Sequence, residues 1–239
     1  MIVIRSRLDE RRKEFLAYVR LLRHLEDRLQ PNLARTRRIG DLPTNDTFKA
    51  MKATAFLMLY NVIEATIVGA MAELYKTIER EGCKLPDVSE KVQDLWIDQR
   101  FWISPHEAKP ATYRKRAAQM LRETMEGTRL ILDPKQLPLS GNIDGQIVRD
   151  LCEKHGCKLR IHYRARGGAE LGTVKAQRND LAHGNKTFVE CGRDYGVSDI
   201  GRIAGECFNF LGGFIRSVGR FVDAGGYRAK PVCSASSFA

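Results

Sequence analysis

Apolar residues recur at three- and four-residue intervals along most of the chain, and this spacing predicts a protein built of helices. The pattern opens over residues 4–30, where Ile4, Leu8, Phe15, Val19, Leu22, Leu25 and Leu29 alternate with Arg and Glu. "DLPTND" interrupts it, and Thr44, Asn45 or Asp46 is placed to cap a second helix. From Ala53 to Ala72 that helix is apolar nearly all round: "ATAFLMLYNVIEATIVGAMA". Its length meets the criterion for a membrane span. Asn61 and Glu64 sit in its middle, however, and a central carboxylate costs about 2.5–3.5 kcal/mol on insertion scales. The expectation is therefore a core helix and no membrane partner. Glu64 then needs a partner of its own, and Tyr60 lies one turn earlier on the same face.

Past Gly82 the pattern turns irregular around "WIDQRFWISPHEAKPATY", with short helical stretches expected at 89–95 and 112–131. Asn142 is positioned to cap the next helix, which carries Ile143, Ile147 and Leu151 on one face and stops at Gly156. "KLRIHYRAR" alternates Leu159, Ile161 and Tyr163 with basic residues, as a short edge strand does. Its basic face could touch phosphate or stand out as an arm. "RGG" opens the following helix, and Ser198 caps a last apolar helix to about Val222, in which Gly205, Gly212 and Gly213 suggest close packing. The fold class expected is all-α: one domain over 1–223, with a basic N-terminal helix at 4–38, a small irregular insertion and a disordered tail at 224–239.

Charge narrows the partners. Lys and Arg number 40 against 29 acids, a net charge of +11, which suits a polyanion, nucleic acid ahead of an anionic membrane. The first forty residues hold ten Arg and one Lys against five acids, and so carry +6 of that excess. This helix reads either as a solvated face with internal ion pairs or as a phosphate-facing stripe; acids mixed in as far as "ARTRR" at 34–38 favour the former. The six cysteines (83, 152, 157, 191, 207, 233) follow an opening too charged for a signal peptide. Free thiols in a cytoplasmic protein are expected. "CEKHGC" with His162 imitates a zinc cluster of Cys152, His155, Cys157 and His162, but the spacing fits no zinc pattern and is read as structural. No metal or cofactor is expected.

The stretch needing an explanation is "RNDLAHG", residues 178–184. On a helix, Lys175, Arg178, Asn179 and His183 share one broad face with Ala182 as an open floor, while Val174 and Leu181 take the other side. Arg grips phosphate with a planar fork that never loses its proton. His can take and give a proton near neutral pH. Together they suffice to cleave RNA without a metal, one removing the 2′-hydroxyl proton and the other stabilising the phosphorane charge. Asn179, one turn before His183, is placed to hold the imidazole.

"RNDLAHG" also resembles the Arg-x4-6-His signature of the HEPN superfamily in its Arg-Asn-x3-His form. The flanking "NIDGQIVRDLCEKHG" and "RNDLAHGNKTFVECGRDY" resemble the MAE-type HEPN-like nucleases, over roughly residues 50–222. The resemblance implies an all-α bundle with long antiparallel helices, a homodimer whose two motif helices meet in a shared cleft, and metal-independent endoribonuclease activity in toxin–antitoxin or other defence systems. It implies RNA as substrate, a possible antitoxin protein as partner, Arg178 and His183 as the catalytic pair and Asn179 as their companion. Lys175, Glu64 and Tyr60 are candidate substrate-binding residues of the same cleft. A non-catalytic RNA-binding or scaffolding module is the alternative.

Overall fold

The structure is a computed structural model and describes residues 1–29, 43–101, 109–139 and 141–230. Among these residues it has eight α-helices and no β-strand: α1 (Ile2–Leu29), α2 (Asn45–Arg80), α3 (Glu90–Phe101), α4 (Pro110–Met125), α5 (Gly145–Lys154), α6 (Ala169–Ala182), α7 (Phe188–Arg193) and α8 (Val197–Asp223). The all-α class holds. Residues 30–38, the expected end of the first helix, lie outside the described residues, as does Cys233.

The bundle is organised around α2. Thr44 caps it by accepting a hydrogen bond from the Thr47 N–H at 3.2 Å. Phe56, Leu59, Ile63, Ile67, Met71 and Leu74 are all but inaccessible. Helices α1, α6, α7 and α8 pack on it, while a stripe through Leu57, Met58, Asn61, Glu64 and Val68 is left exposed or half-buried. The long helices are not all antiparallel. α1 runs against α2, with Ile4 beside Gly69 and the Tyr18 hydroxyl donating to the Met51 carbonyl at 2.7 Å. α8 runs parallel to α2: Tyr195, just before α8, packs on Phe56, and Tyr227, just after it, bonds to Glu81.

Several local expectations are corrected. Residues 158–166 form no strand; Tyr163–Gly168 is a short 3-10 segment, and the chain before it lies on α8. Asp144, not Asn142, caps α5, accepting from the N–H groups of Gln146 and Ile147 at 3.0 and 2.9 Å. α8 is capped at Gly196, not Ser198, through the Asp199 carboxylate. Of the three glycines expected to pack closely in α8, Gly213 does so against Arg160 and Ile161, whereas Gly205 faces open space. The expected tail is ordered over residues 224–230: Tyr227 is 1% exposed, its carbonyl accepts from Ser89, and Ala229 N–H donates to Asp87. His155, one of the zinc-like residues, lies in the core between the Leu151 carbonyl at 2.7 Å and the Tyr75 hydroxyl at 2.8 Å. Burial holds its pKa down to about 4, so it is a neutral hydrogen-bonding group at physiological pH.

Helix α7 was not expected at all, because six residues are too few to show a period. Its start is nevertheless written in sequence as a capping box, Thr187 with Glu190. Gly192 is the reason it can sit on α2: a Cβ there would stand 1.8 Å from the Lys49 carbonyl oxygen. We expect Gly192→Ala to destabilise the fold by about 3 kcal/mol or more, since overpacking against side chains alone costs about 1–3 kcal/mol and here backbone is the obstacle. Gly205→Ala, into open space on an exposed helical position, should instead be neutral or stabilising by up to about 1 kcal/mol. Urea midpoints of the two variants check the pair.

Candidate active site

Helix α6 presents the motif. Its N-cap, Gly168, has φ of 86°, and the Phe210 ring fills the space a Cβ would need. Leu171, Val174, Gln177 and Leu181 face inward, which turns Lys175, Arg178 and Asn179 outward and leaves His183 at the C-cap. Gly184, at φ of 72°, ends the helix there.

Arg178 does not wave in solvent. Its guanidinium lies over the ring of Tyr60 at 4.9 Å from the centroid, and its Nη1 donates to Asn179 Oδ1 at 3.0 Å. A cation held this way on an aromatic face gains on the order of 0.5–2 kcal/mol. Nε and Nη2 bond no protein group among the described residues, so part of the fork stays open for an anion.

Four consecutive residues before α5 fix this arrangement from the other side. Gly141, at φ of 72°, passes so close to Arg178 that a Cβ would sit 3.1 Å from Nη1. Asn142 Oδ1 accepts from Asn179 Nδ2 at 3.3 Å. The Ile143 N–H donates to the Tyr60 hydroxyl at 3.2 Å. Asp144 Oδ2 takes the Lys175 ammonium at 2.5 Å. One loop therefore addresses Arg178, Asn179, Tyr60 and Lys175 in turn. Sequence reasoning missed it by spending Asn142 on a helix cap. The available signal was two Asx side chains two residues apart where a single cap was needed.

The structure revises three roles. Tyr60 is 1% exposed and lies under Arg178, so it supports the guanidinium and does not touch a ligand. Burial, with a contribution from Glu64, raises its pKa against the lowering by the Ile143 N–H, Arg178 and Lys175, so it stays a neutral phenol. Asn179 does not orient His183, because its amide is taken by Arg178 and Asn142. Glu64 is half-buried and has no hydrogen-bond or ion-pair partner among the described residues, so it escapes the burial cost its place in the apolar run suggested. It does lie near enough to Tyr60 to act on it.

His183 is exposed, its backbone N–H bonded to the Asn179 carbonyl at 2.9 Å and its ring without a protein partner among the described residues. The face thus joins a fixed guanidinium to an imidazole five residues away that has no ring partner among the described residues. That is the equipment for proton transfer beside a stabilised anionic phosphorus. Compared with known proteins, the chain matches the family described as HEPN_MAE_28990-like HEPN over residues 3–227. No curated protein and no solved structure matches it.

The Lys175–Asp144 pair carries a pH signature. Burial opposes ionisation of Asp144, but Lys175 and the N–H groups of Ile147 and Gln146 outweigh it and hold its carboxyl below the ordinary range. The stability it contributes is therefore complete above its unfolded pKa, about 3.9, and is lost as pH falls through the lower folded value. Asp144→Asn keeps a good cap and removes the charge. It should be less stable than the parent near pH 7, and urea unfolding should show the gap closing in acid.

Proposed function

The chain belongs to the HEPN_MAE_28990-like HEPN family, whose superfamily consists generally of RNases, and from that premise we propose that it is a metal-independent endoribonuclease. The observation that carries the proposal is the seating of Arg178 on Tyr60, with Nε and Nη2 open and His183 unengaged one turn further on. Preorganised donors aimed at developing charge are the largest single contribution in many active sites.

In this reading His183 takes the proton from a ribose 2′-hydroxyl and O2′ attacks the adjacent phosphorus. Arg178 holds the non-bridging oxygens as charge builds there. The 5′-oxygen leaves with a proton from water or from the His183 of a second copy, giving a 2′,3′-cyclic phosphate and a 5′-hydroxyl. Lys175 can turn from Asp144 to a neighbouring phosphate, and Glu64 borders the same face. A toxin or defence effector acting in the cytoplasm, restrained by an antitoxin protein, is the biological role that fits an RNase of this family.

This face of one chain offers the Arg178 fork and the His183 imidazole, and nothing among the described residues orients that imidazole. We therefore place the site at the interface of a homodimer, where the partner's motif helix completes the cleft. The same observation favours the second reading, a module that binds RNA through this face without cutting it.

Cleavage by the purified protein should survive excess EDTA, spare DNA and 2′-O-methylated RNA, and leave cyclic phosphate ends. His183→Ala and Arg178→Ala should each slow it by about 10² or more, and Arg178→Lys should not restore it, because a point charge lacks the fork. Products with 5′-phosphates, or a strict demand for Mg²⁺, would refute the mechanism. RNA binding without cleavage by the parent chain selects the second reading.

Light scattering should find two chains per particle at micromolar concentration. A fully active monomer would remove the shared cleft.

A further inference from the structure

Two basic stretches that the sequence left open, the first helix and the segment 158–166, come together in the fold. The segment is clamped to α8: the Arg160 N–H donates to Ser217 Oγ at 2.9 Å, and Ile161 packs over Gly213. His162 and Arg164 are thereby laid beside α1 and α8, and the three elements enclose an open cavity of about 340 Å³. Arg5 and Arg12 reach it from α1, Arg164 from the segment and Arg216 from α8. Buried Leu8, Phe208 and Ile215 form its floor. The acid in the lining is Asp9.

None of these four guanidinium groups is in an ion pair among the described residues. Elsewhere Arg80, Arg100, Arg202 and Arg228 each have a carboxylate. Arg12 is instead parked over the Phe208 ring at 5.6 Å, and Arg164 Nε donates to the Tyr163 hydroxyl at 3.2 Å. Like charges gathered around a low-dielectric floor repel one another and focus a positive potential into the cavity.

Beside the cavity stands an exposed aromatic platform. Tyr163 is 76% exposed, with the His162 ring packed on it at 4.3 Å between centroids and Arg164 at 5.8 Å. Unpaired bases stack on such rings while neighbouring phosphates take the cations. An acidic protein segment would use the arginines but has no need of the platform.

We infer that this cavity is a second RNA-binding site, which holds the phosphates of a single strand on Arg5, Arg12, Arg164 and Arg216 and stacks a base on Tyr163. The inference rests on RNA being the ligand of the Arg178–His183 face. Arg164 precedes α6 and His183 follows its last residue, and α6 itself is about 20 Å long at about 1.5 Å per residue. A strand must be several nucleotides long to reach both. The second site therefore governs affinity for long single strands and leaves the chemistry of short ones untouched.

The test uses the full chain carrying His183→Ala, so that RNA is bound and not consumed, with a fluorescent oligouridine read by anisotropy over a range of KCl. Arg12→Glu/Arg216→Glu should weaken binding by about tenfold or more and flatten the logarithmic salt dependence by about 1.4, since each lost contact to a single strand removes about 0.7. Tyr163→Ala, at a surface position that the fold does not need, should weaken it by about fivefold or more. In the cleavage-competent chain, neither change should alter turnover of a uridine trinucleotide. Unchanged oligouridine affinity in both variants overturns the inference. So does displacement of oligouridine by polyglutamate of equal charge as readily as by unlabelled oligouridine, which would assign the cavity to an acidic protein. If the parent cleaves no RNA yet these variants lose binding, the catalytic proposal falls and the second site stands.

Discussion

The fold is organised by the burial of α2, of which a stripe through Leu57, Met58, Asn61, Glu64 and Val68 stays exposed or half-buried. A helix that is apolar nearly all round cannot leave a face in water without forfeiting roughly 25 cal/mol for each Å² of apolar surface exposed. α1, α6, α7 and α8 pack on α2, and α1 and α8 also pack on each other. Gly192 shows how tight this contact is, for α7 touches the α2 backbone itself. The same constraint places the candidate active site. α6 buries Val174 and Leu181 against the bundle, and that orientation turns Arg178 toward Tyr60.

Arg178 is held by a division of labour between a rigid core and a single loop. Tyr60, buried in α2, offers the face on which the guanidinium rests. Residues 141–144 close the arrangement from outside by contacts with Arg178, Asn179, Tyr60 and Lys175 in register. Because each partner is itself hydrogen-bonded, the fork keeps one orientation with little reorganisation left for the moment of reaction. His183 is treated differently. It sits at a helix end, and its ring has no partner among the described residues.

The basic character of the chain is spread unevenly. Near Arg178, Lys175 is paired with Asp144 and Glu64 lies close to Tyr60, so that face carries both signs of charge. At the α1–α8 cavity four arginines stand together with Asp9 alone among acids in the lining. In the proposed reading grip and chemistry are separate, since these four arginines lie on other elements than Arg178 and His183.

The sequence by itself determined the all-α class, the start of α2 within residues 44–46, the stop at Gly156 and the outward face of α6. These follow from periodicity and capping, which are local properties of the chain. It also singled out Arg178, Asn179 and His183 by spacing and by likeness to a family motif. It misread 158–166 as a strand, because alternation over so few residues does not distinguish a strand from a segment pinned by one side chain such as Ser217. It gave Asn142 the cap that Asp144 provides, because either side chain can cap and only the path of the loop selects one. It counted Tyr60 as a ligand contact and Asn179 as the partner of His183. Both depend on which groups from distant parts of the chain arrive first, and at Arg178 those are Tyr60 from α2 and the loop before α5. The tertiary structure alone decided that the basic first helix and the basic 158–166 segment share a cavity. Nothing local links residues so far apart in sequence; only the packing of α1 and α8 around a common core does.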